Sequence, residues 1–591
     1  MRLTTLSQTI VLLTFLIFSY TTFAQPNKEN TELRKVLDAY YEESLILNPI
    51  AATYIGDNRF NDQLPNTIAV PYLKKVHDYN IKYKNLLATF KQANLSLSDR
   101  ISLAIAKDQI EQSLALEKFH LEYMPFDQGF RSLPANLPSF GSGTGIQPFK
   151  TIQDYDNWLK RLSAFSEWAD TAIANFNKGI AVDMVLPKTL VVKIIPQLEA
   201  HTTTDTTSNI FYGPVLNLPA SFTNAEKEVI RQKYSSALVN IVIPTYQKLA
   251  EYLKNVYLPK ARTTSGYNSL PNGAAIYQAL IRYYTTTTQT PEQIYQTGLQ
   301  EVERITKAID TLKSKVGFNG STTDLFAFIG TDKQFFPFTT EEQVLDSFRA
   351  ILPRIQANLK KLFNIVPKSA FEIKAIEKFK VASTSSNYQP GSEDGTRPGF
   401  FNVRIRDATR YNASTMESLF SHEAIPGHHF QASLQMENKH FPKIRRYARY
   451  PAFHEGWALY TESLGEELGL YTNPYAKISA LGSELFRAAR LVVDVGLHTG
   501  KMTREEAIQY MLKTAGVGAN GASEVERYMG DPGQALAYKT GELKIKELKE
   551  KYQKSLGAKF DIRSFHDAIL LGGAMPLNLL ETYMDEWAKS Q

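Results

Sequence analysis

Cysteine is absent from all 591 residues. That one absence removes disulfides, thiolate zinc sites, iron–sulfur clusters and cysteine nucleophiles together. A metal in this chain has to be held by His, Asp, Glu or backbone oxygens, and only 10 His are present. No long Lys/Arg run or basic stripe with interleaved aromatics occurs, and 66 basic against 60 acidic side chains leave a net charge of only +6. Nucleic-acid binding is therefore not expected. No G-x-S-x-G elbow accompanies a triad, so serine hydrolysis lacks its nucleophile. Gly141–Gly145 imitates a phosphate-binding loop but has neither the strand before it, the helix after it nor the Lys, and reads as a plain loop.

The apolar run from Ile10 to Tyr20 is too short to cross a bilayer core of about 30 Å as a helix. Met1-Arg2 precedes it, and Thr22-Phe23-Ala24 follows before Gln25. This is the pattern of a signal peptide covering residues 1–24. The protein is expected to be exported, to a bacterial periplasm or beyond, with no membrane span after cleavage. Without a Cys behind the apolar run there is no lipid-anchor site.

What the chain does contain is ordinary for a globular body: 43% hydrophobic and 21% charged residues, with 31 Tyr and 33 Phe. Apolar spacings of three and four predict helices over Glu32–Leu47, Pro71–Ala93, Tyr155–Gly179, Ala225–Val256, Pro291–Val316 and Glu341–Phe363. Pro- and Gly-rich stretches at Leu133–Phe149, Pro187–Pro219 and Tyr388–Gly399 separate them. Strict alternation over Phe401–Arg406 predicts a strand, whose free edge is expected to pair with an extended peptide. The fold expected is mainly α, a large helical body around a deep cleft, with a small antiparallel β-element next to the active-site helix. Residues 25–370 read as an N-terminal helical lobe and 371–591 as a C-terminal metal-binding lobe, the two forming one continuous domain.

Chemistry concentrates in Ser421-His422-Glu423-Ala424-Ile425-Pro426-Gly427-His428-His429. In the zincin signature H-E-x-x-H, two His four apart share one helix face and the Glu acts on water. Here Pro426 occupies the fourth position. A regular helix would carry a His seven residues on about 10.5 Å along its axis, too far for one metal with bonds of about 2 Å. A distortion at Pro426-Gly427 is required, and it would return His428 to the metal, with His429 as the alternative. The helical run after Pro451 offers Glu455 as third ligand. Glu462, seven residues on, shares its face and can support the imidazoles, and His454 is a second candidate beside Glu455. Two His and one carboxylate leave a fourth position open, the arrangement of a catalytic zinc ion. Glu423 is then the general base. Asp494 and His498, four apart on one helical face, can form a carboxylate–imidazole pair. Arg490 and Arg527 have the fork geometry for a peptide carboxylate.

These motifs, together with His454–Tyr460, Arg397–Phe400, Arg490–His498, Arg527-Tyr528 and Pro532–Lys539, resemble the bacterial domain-of-unknown-function family 885, a group of zinc-metallopeptidase type. Pro49–Gly56 and Gly179–Pro187 resemble its weaker motifs, so the likeness spans nearly the whole mature chain. The resemblance implies a largely helical fold and a gluzincin-like site, similar to those of angiotensin-converting-enzyme-type and thermostable carboxypeptidases. There a Gly-His closes the first motif and a helix Glu is the third ligand, which match Gly427-His428 and Glu455; the interval from Glu423 to His428 is longer here. Tyr538, inside a family-like stretch, is the first candidate for the oxyanion donor, followed by Tyr528 and His498. Arg490, Arg527, Tyr528 and Arg404 are read as substrate-binding. The expected function is an exported peptidase holding one Zn2+ ion and acting on short peptides, of carboxypeptidase or dipeptidase type. The alternatives are a non-catalytic peptide- or metal-binding relative, or a zinc hydrolase of another amide such as an N-acyl amino acid.

Overall fold

The computed structural model describes residues 29–128, 132–378, 381, 385–392, 397–518 and 521–591. The leader read at 1–24 lies outside them. Among the described residues no helix is long and apolar enough to cross a membrane.

The chain is mainly α, with one small sheet. The elements that frame the site are α1 (Thr31–Leu47), α2 (Ile152–Ala181), α3 (Pro291–Lys315) and α4 (Glu341–Asn358). They continue with α5 (Met416–Glu423), α6 (His428–Glu437), α7 (Pro451–Glu462), α8 (Pro474–Thr499), α9 (Gly521–Gly530) and α10 (Ala537–Leu556). Several start where the sequence supplies a reciprocal cap. Thr151 and Asp154 open α2, Thr290 and Gln293 open α3 with Pro291 in its first turn, and Thr340 and Gln343 open α4. In each pair, two backbone donors that the helix leaves unsatisfied are matched by side chains.

Two stretches read as Pro/Gly separators also carry helices, Leu133–Phe140 and Lys188–Glu199. Pro134 and Pro187 stand at their starts, where no N–H is needed, so they begin helices instead of ending them. The single helix expected over Ala225–Val256 is instead Asn224–Ala237 and Ile243–Tyr252, linked and followed by wide π-type turns at Leu238–Val242 and Leu253–Tyr257. Pro244 removes a backbone donor there, and the extra residue per turn absorbs the loss.

The sheet contains β1 (Phe371–Ala375), β2 (Asn387–Gln389) and β3 (Gly399–Val403) in the order β1-β3-β2. β2 runs antiparallel to β3 with Tyr388 opposite Phe401, and β1 runs parallel to it with Ile373 opposite Phe401. This corrects one expectation. The alternating stretch forms the central strand, with partners on both sides, so it offers no free edge; the strand also ends at Val403, short of Arg406. One of its faces is sealed: Phe401 and Val403, two apart on the strand, are fully buried in the main apolar core, Phe401 against Phe348 and Phe420, while Phe400 and Asn402 on the other face are half-buried.

That core gathers Leu33 and Leu37 of α1, Phe348 of α4, Phe401, Trp457 of α7 and Trp587, joining the two ends of the chain. A second core surrounds Trp158, Phe165, Trp168 and Tyr246. One helix crossing near the site is backbone-close at two points. A methyl group on Gly456 would lie 2.4 Å from the Gly541 Cα, and one on Gly541 would lie 1.8 Å from the Ala452 carbonyl oxygen. Only glycine at both positions lets α7 and α10 touch in this way. A buried charge network ties α10 to α3 and α8: Lys539 Nζ lies 2.9 Å from Glu301, 2.7 Å from Glu484 and 2.6 Å from Glu542.

Candidate metal centre

The first motif folds as two helices with a break between them. α5 ends at Glu423, the chain crosses Ala424–Gly427, and α6 starts at His428. Gly427 is required by proximity, since a Cβ there would fall 2.0 Å from the His422 carbonyl oxygen and 2.3 Å from that of Ser421. The break is held from α7, where Trp457 Nε1 donates to the Pro426 carbonyl at 2.8 Å and the Thr461 hydroxyl to the Ser421 carbonyl at 3.0 Å. Folding the chain back on itself brings His428 beside His422, with ring centroids 4.8 Å apart and planes at 87°.

Glu455, on α7, completes the group. Its Oε2 lies 3.5 Å from His422 Nε2 and 3.5 Å from His428 Nε2, and one ligand atom from each of the three residues falls within 4.8 Å of the others. Tetrahedral ligands at about 2.0 Å from a metal stand about 3.3 Å apart. The donor set and its spacing therefore fit one zinc ion. His422 Nδ1 is 2.9 Å from Glu462 Oε1, which turns Nε2 toward the shared point. The His422 side chain is 6% exposed, against 18% for His428 and 22% for Glu455, so solvent reaches the group from the side of the latter two.

Electrostatics follow from this crowding of charge in a buried place. Burial presses the His422 imidazole down, but hydrogen bonds with Glu455 and Glu462 outweigh it and hold it at about 9. Burial pushes Glu455 up, yet His428 and His422 bring it well below the usual carboxylate range. For Glu423 burial wins over the same two imidazoles, and its carboxyl is raised. Glu423 also accepts a hydrogen bond from the backbone N–H of Tyr388 in β2.

The other predicted residues fall into two sets. Tyr538, at the start of α10, is close enough to Glu455 for that carboxylate to add to the upward push of burial on its phenol. Arg490 lies beneath the Tyr538 ring, its Cζ 4.7 Å from the centroid. Arg490 and Arg527 both reach Glu524 Oε2, at 3.3 and 3.1 Å.

The remaining candidates are held elsewhere. His429 points under the sheet, with Nδ1 3.0 Å from the Tyr388 hydroxyl and its ring 4.5 Å from Phe371, and burial lowers it to about 4. His454 pairs with the Gln431 side-chain oxygen at 2.6 Å. His498 Nδ1 accepts from the Tyr267 N–H at 3.1 Å while Nε2 lies 3.0 Å from the Tyr528 carbonyl, so both ring nitrogens are occupied. The Tyr528 hydroxyl donates to Glu524 at 2.9 Å, which removes it as an oxyanion donor. Asp494 and His498 form no pair: Asp494 accepts from the Tyr277 hydroxyl at 2.6 Å and from Gly533 N–H at 3.1 Å. Arg404 donates to the Val381 carbonyl at 2.8 Å, beside the sheet.

Sequence reasoning missed Tyr388, Glu524 and Arg487. Tyr388 lies 35 residues from Glu423, and no local pattern announces their contact. Glu524 to Tyr528 and Arg487 to Arg490 are helical i,i+4 and i,i+3 pairs that spacing could have joined.

A mainly α protein with a His, His and Glu constellation closed by a broken helix is the class that fold and site define. The chain belongs to the family described as "Bacterial protein of unknown function (DUF885)", matched over residues 49–584. No curated protein matches it. Among solved structures, it is similar to one described as "putative lipoprotein from Colwellia psychrerythraea", with 26% identity, TM-score 0.88, and 95% of this chain and 99% of that chain covered. A "putative lipoprotein of unknown function from Shewanella oneidensis" shares the fold at 18% identity and TM-score 0.70, with 93% and 99% covered.

Proposed function

We propose that the protein is an exported zinc-dependent hydrolase of peptide bonds in short peptides, of carboxypeptidase or dipeptidase type. The observation that carries this reading is Glu455 Oε2 standing 3.5 Å from both His422 Nε2 and His428 Nε2, with Glu423 next to the first of them. Bound zinc would supply Lewis acidity to the scissile carbonyl and acidify water at the site. Glu423, raised by burial and steadied by the Tyr388 N–H, takes the proton of the attacking water and hands it to the leaving nitrogen. Tyr538 stands on the Glu455 side as the hydroxyl donor to the oxyanion. Arg490 and Arg527 receive the substrate's terminal carboxylate, which favours removal of residues from a C-terminus over internal cleavage.

Export rests on the leader read at 1–24 and on the lipoprotein description of the Colwellia and Shewanella chains. This sequence has no cysteine to carry such a lipid. The main core takes residues from both 25–370 and 371–591, which supports reading the two lobes as one domain.

Metal analysis of the purified protein followed by a peptide-library digest tests the reading, with Glu423→Gln as control. The expected result is one zinc per chain, cleavage by the parent protein and none by the variant. Absence of zinc, or equal cleavage by the variant, overturns it. Turnover of N-acyl amino acids but not of peptides would redirect it to another amide.

A further inference from the structure

Beside Tyr538 stand three guanidinium groups, two of which share one carboxylate, Glu524. The Arg490 side chain is 8% exposed; its Nε donates to the Tyr528 hydroxyl at 3.1 Å and its Nη2 to Glu524 Oε2 at 3.3 Å. Its Nη1 is buried and has no hydrogen-bond partner. Arg527 reaches the same Glu524 oxygen at 3.1 Å and donates to Gln534 at 2.5 Å, and the Tyr528 hydroxyl takes that oxygen a third time. Glu524 Oε2 is thus saturated. Arg487, one helical turn before Arg490, donates only to Ser483; its Nε is buried without a partner, and its Cζ lies 6.0 Å from the Tyr538 ring.

Among the described residues, no carboxylate but Glu524 comes within ion-pair distance of these three groups. Asp494 is turned to Tyr277 and Gly533, and Asp531 to the Tyr284 hydroxyl. Three cations and one anion leave two positive charges unmatched, with Arg490 buried and Arg487 and Arg527 half-buried, a condition that an arriving anion relieves. One terminal carboxylate cancels only one of them.

We propose that the second charge is met by an acidic side chain on the same residue, so that the site selects substrates ending in Glu or Asp. Arg490 and Arg527 take the α-carboxylate, and Arg487 takes the side-chain carboxylate. The inference rests on the peptidase reading for the position of the scissile bond, but the charge imbalance stands by itself.

Calorimetric titration of the full-length Glu423→Gln protein with two tripeptides identical except for a terminal Glu or Gln tests it, since this pair differs in charge and hardly in shape. The Glu peptide is expected to bind at least about ten-fold more tightly, as a charge-assisted hydrogen bond would require. Arg487→Gln should bring the two affinities to within about two-fold. Arg490→Lys, which keeps the charge and loses the fork, should weaken both peptides. Equal binding of the two peptides overturns the proposal, and that comparison needs no arginine variant to fold. A preference that survives Arg487→Gln overturns the assignment of that residue. Arginine-dependent binding of the Glu peptide without cleavage by the zinc-loaded parent would defeat the peptidase reading and leave this one standing. Cleavage that ignores the Glu/Gln difference would do the reverse.

Discussion

At the scale of single residues, the site depends on which nitrogen each imidazole presents. Glu462 lies 2.9 Å from His422 Nδ1 and so holds Nε2 toward Glu455 and His428. Glu462→Gln keeps the shape but loses the charge that orients and strengthens this ligand, and zinc affinity is expected to fall about 10- to 100-fold in a competitive chelator titration. Glu423→Gln is different in kind. It should leave zinc content unchanged and lower kcat by about 10²–10⁴-fold, the range for loss of a general base, measured on any peptide the library digest identifies. The residue types of the candidate metal site were legible in the sequence, because a cysteine-free chain confines any zinc site to His and carboxylates. The choice between His428 and His429 was not. Neighbouring residues on a helix diverge by about 100°, so only the direction of α6 after the break decides which one faces His422.

At the scale of elements, the position of Glu455 and Tyr538 is set by the α7–α10 crossing. Its closeness comes from the Gly456 and Gly541 pair, where added carbons would meet backbone atoms that cannot step aside. Gly541→Ala is therefore expected to force the helices apart and to destabilise the fold by about 1–3 kcal/mol, as overpacking does. Denaturant unfolding followed by circular dichroism measures this, and zinc affinity should drop with it. The helices themselves were legible from their apolar spacing and caps, as α1, α3 and α4 illustrate. The strand at Phe401 was legible as a strand but not as a central one. Alternation records which side chains are covered, and carries no information on whether a neighbour pairs along each edge.

At the scale of the whole molecule, Asp494 couples the core to the loop before Tyr538. It is fully buried, and burial above all raises its carboxyl from 3.8 to about 7, with Asp531 adding and Tyr277, Gly533 and Arg527 opposing. The folded state thus holds this proton more tightly than the unfolded chain does. Its contribution to stability is complete below the unfolded value, near 4, and is lost as pH rises through about 7. Asp494→Asn should flatten the fall of the unfolding midpoint across that window, as seen in thermal melts at a series of pH values. Removal of zinc by chelation should abolish hydrolysis yet leave the far-ultraviolet circular dichroism intact, because apolar packing running from Leu33 to Trp587 holds the helices together. Restoring zinc should raise the unfolding midpoint in proportion to the logarithm of its free concentration once the site is saturated.

The sequence by itself determined the helical class, the residue types of the candidate metal centre and the need for a break at Pro426-Gly427, since these follow from composition, periodicity and the rise of a helix. Tertiary structure alone decided that His428 faces His422, that β3 has no free edge, that His498 and Tyr528 are held by other partners, and that Arg490 and Arg527 share Glu524. Each of these is a contact between segments distant in the chain, or a choice among neighbours made by the path of the backbone. Local spacing encodes the face a residue occupies, and packing decides what that face meets.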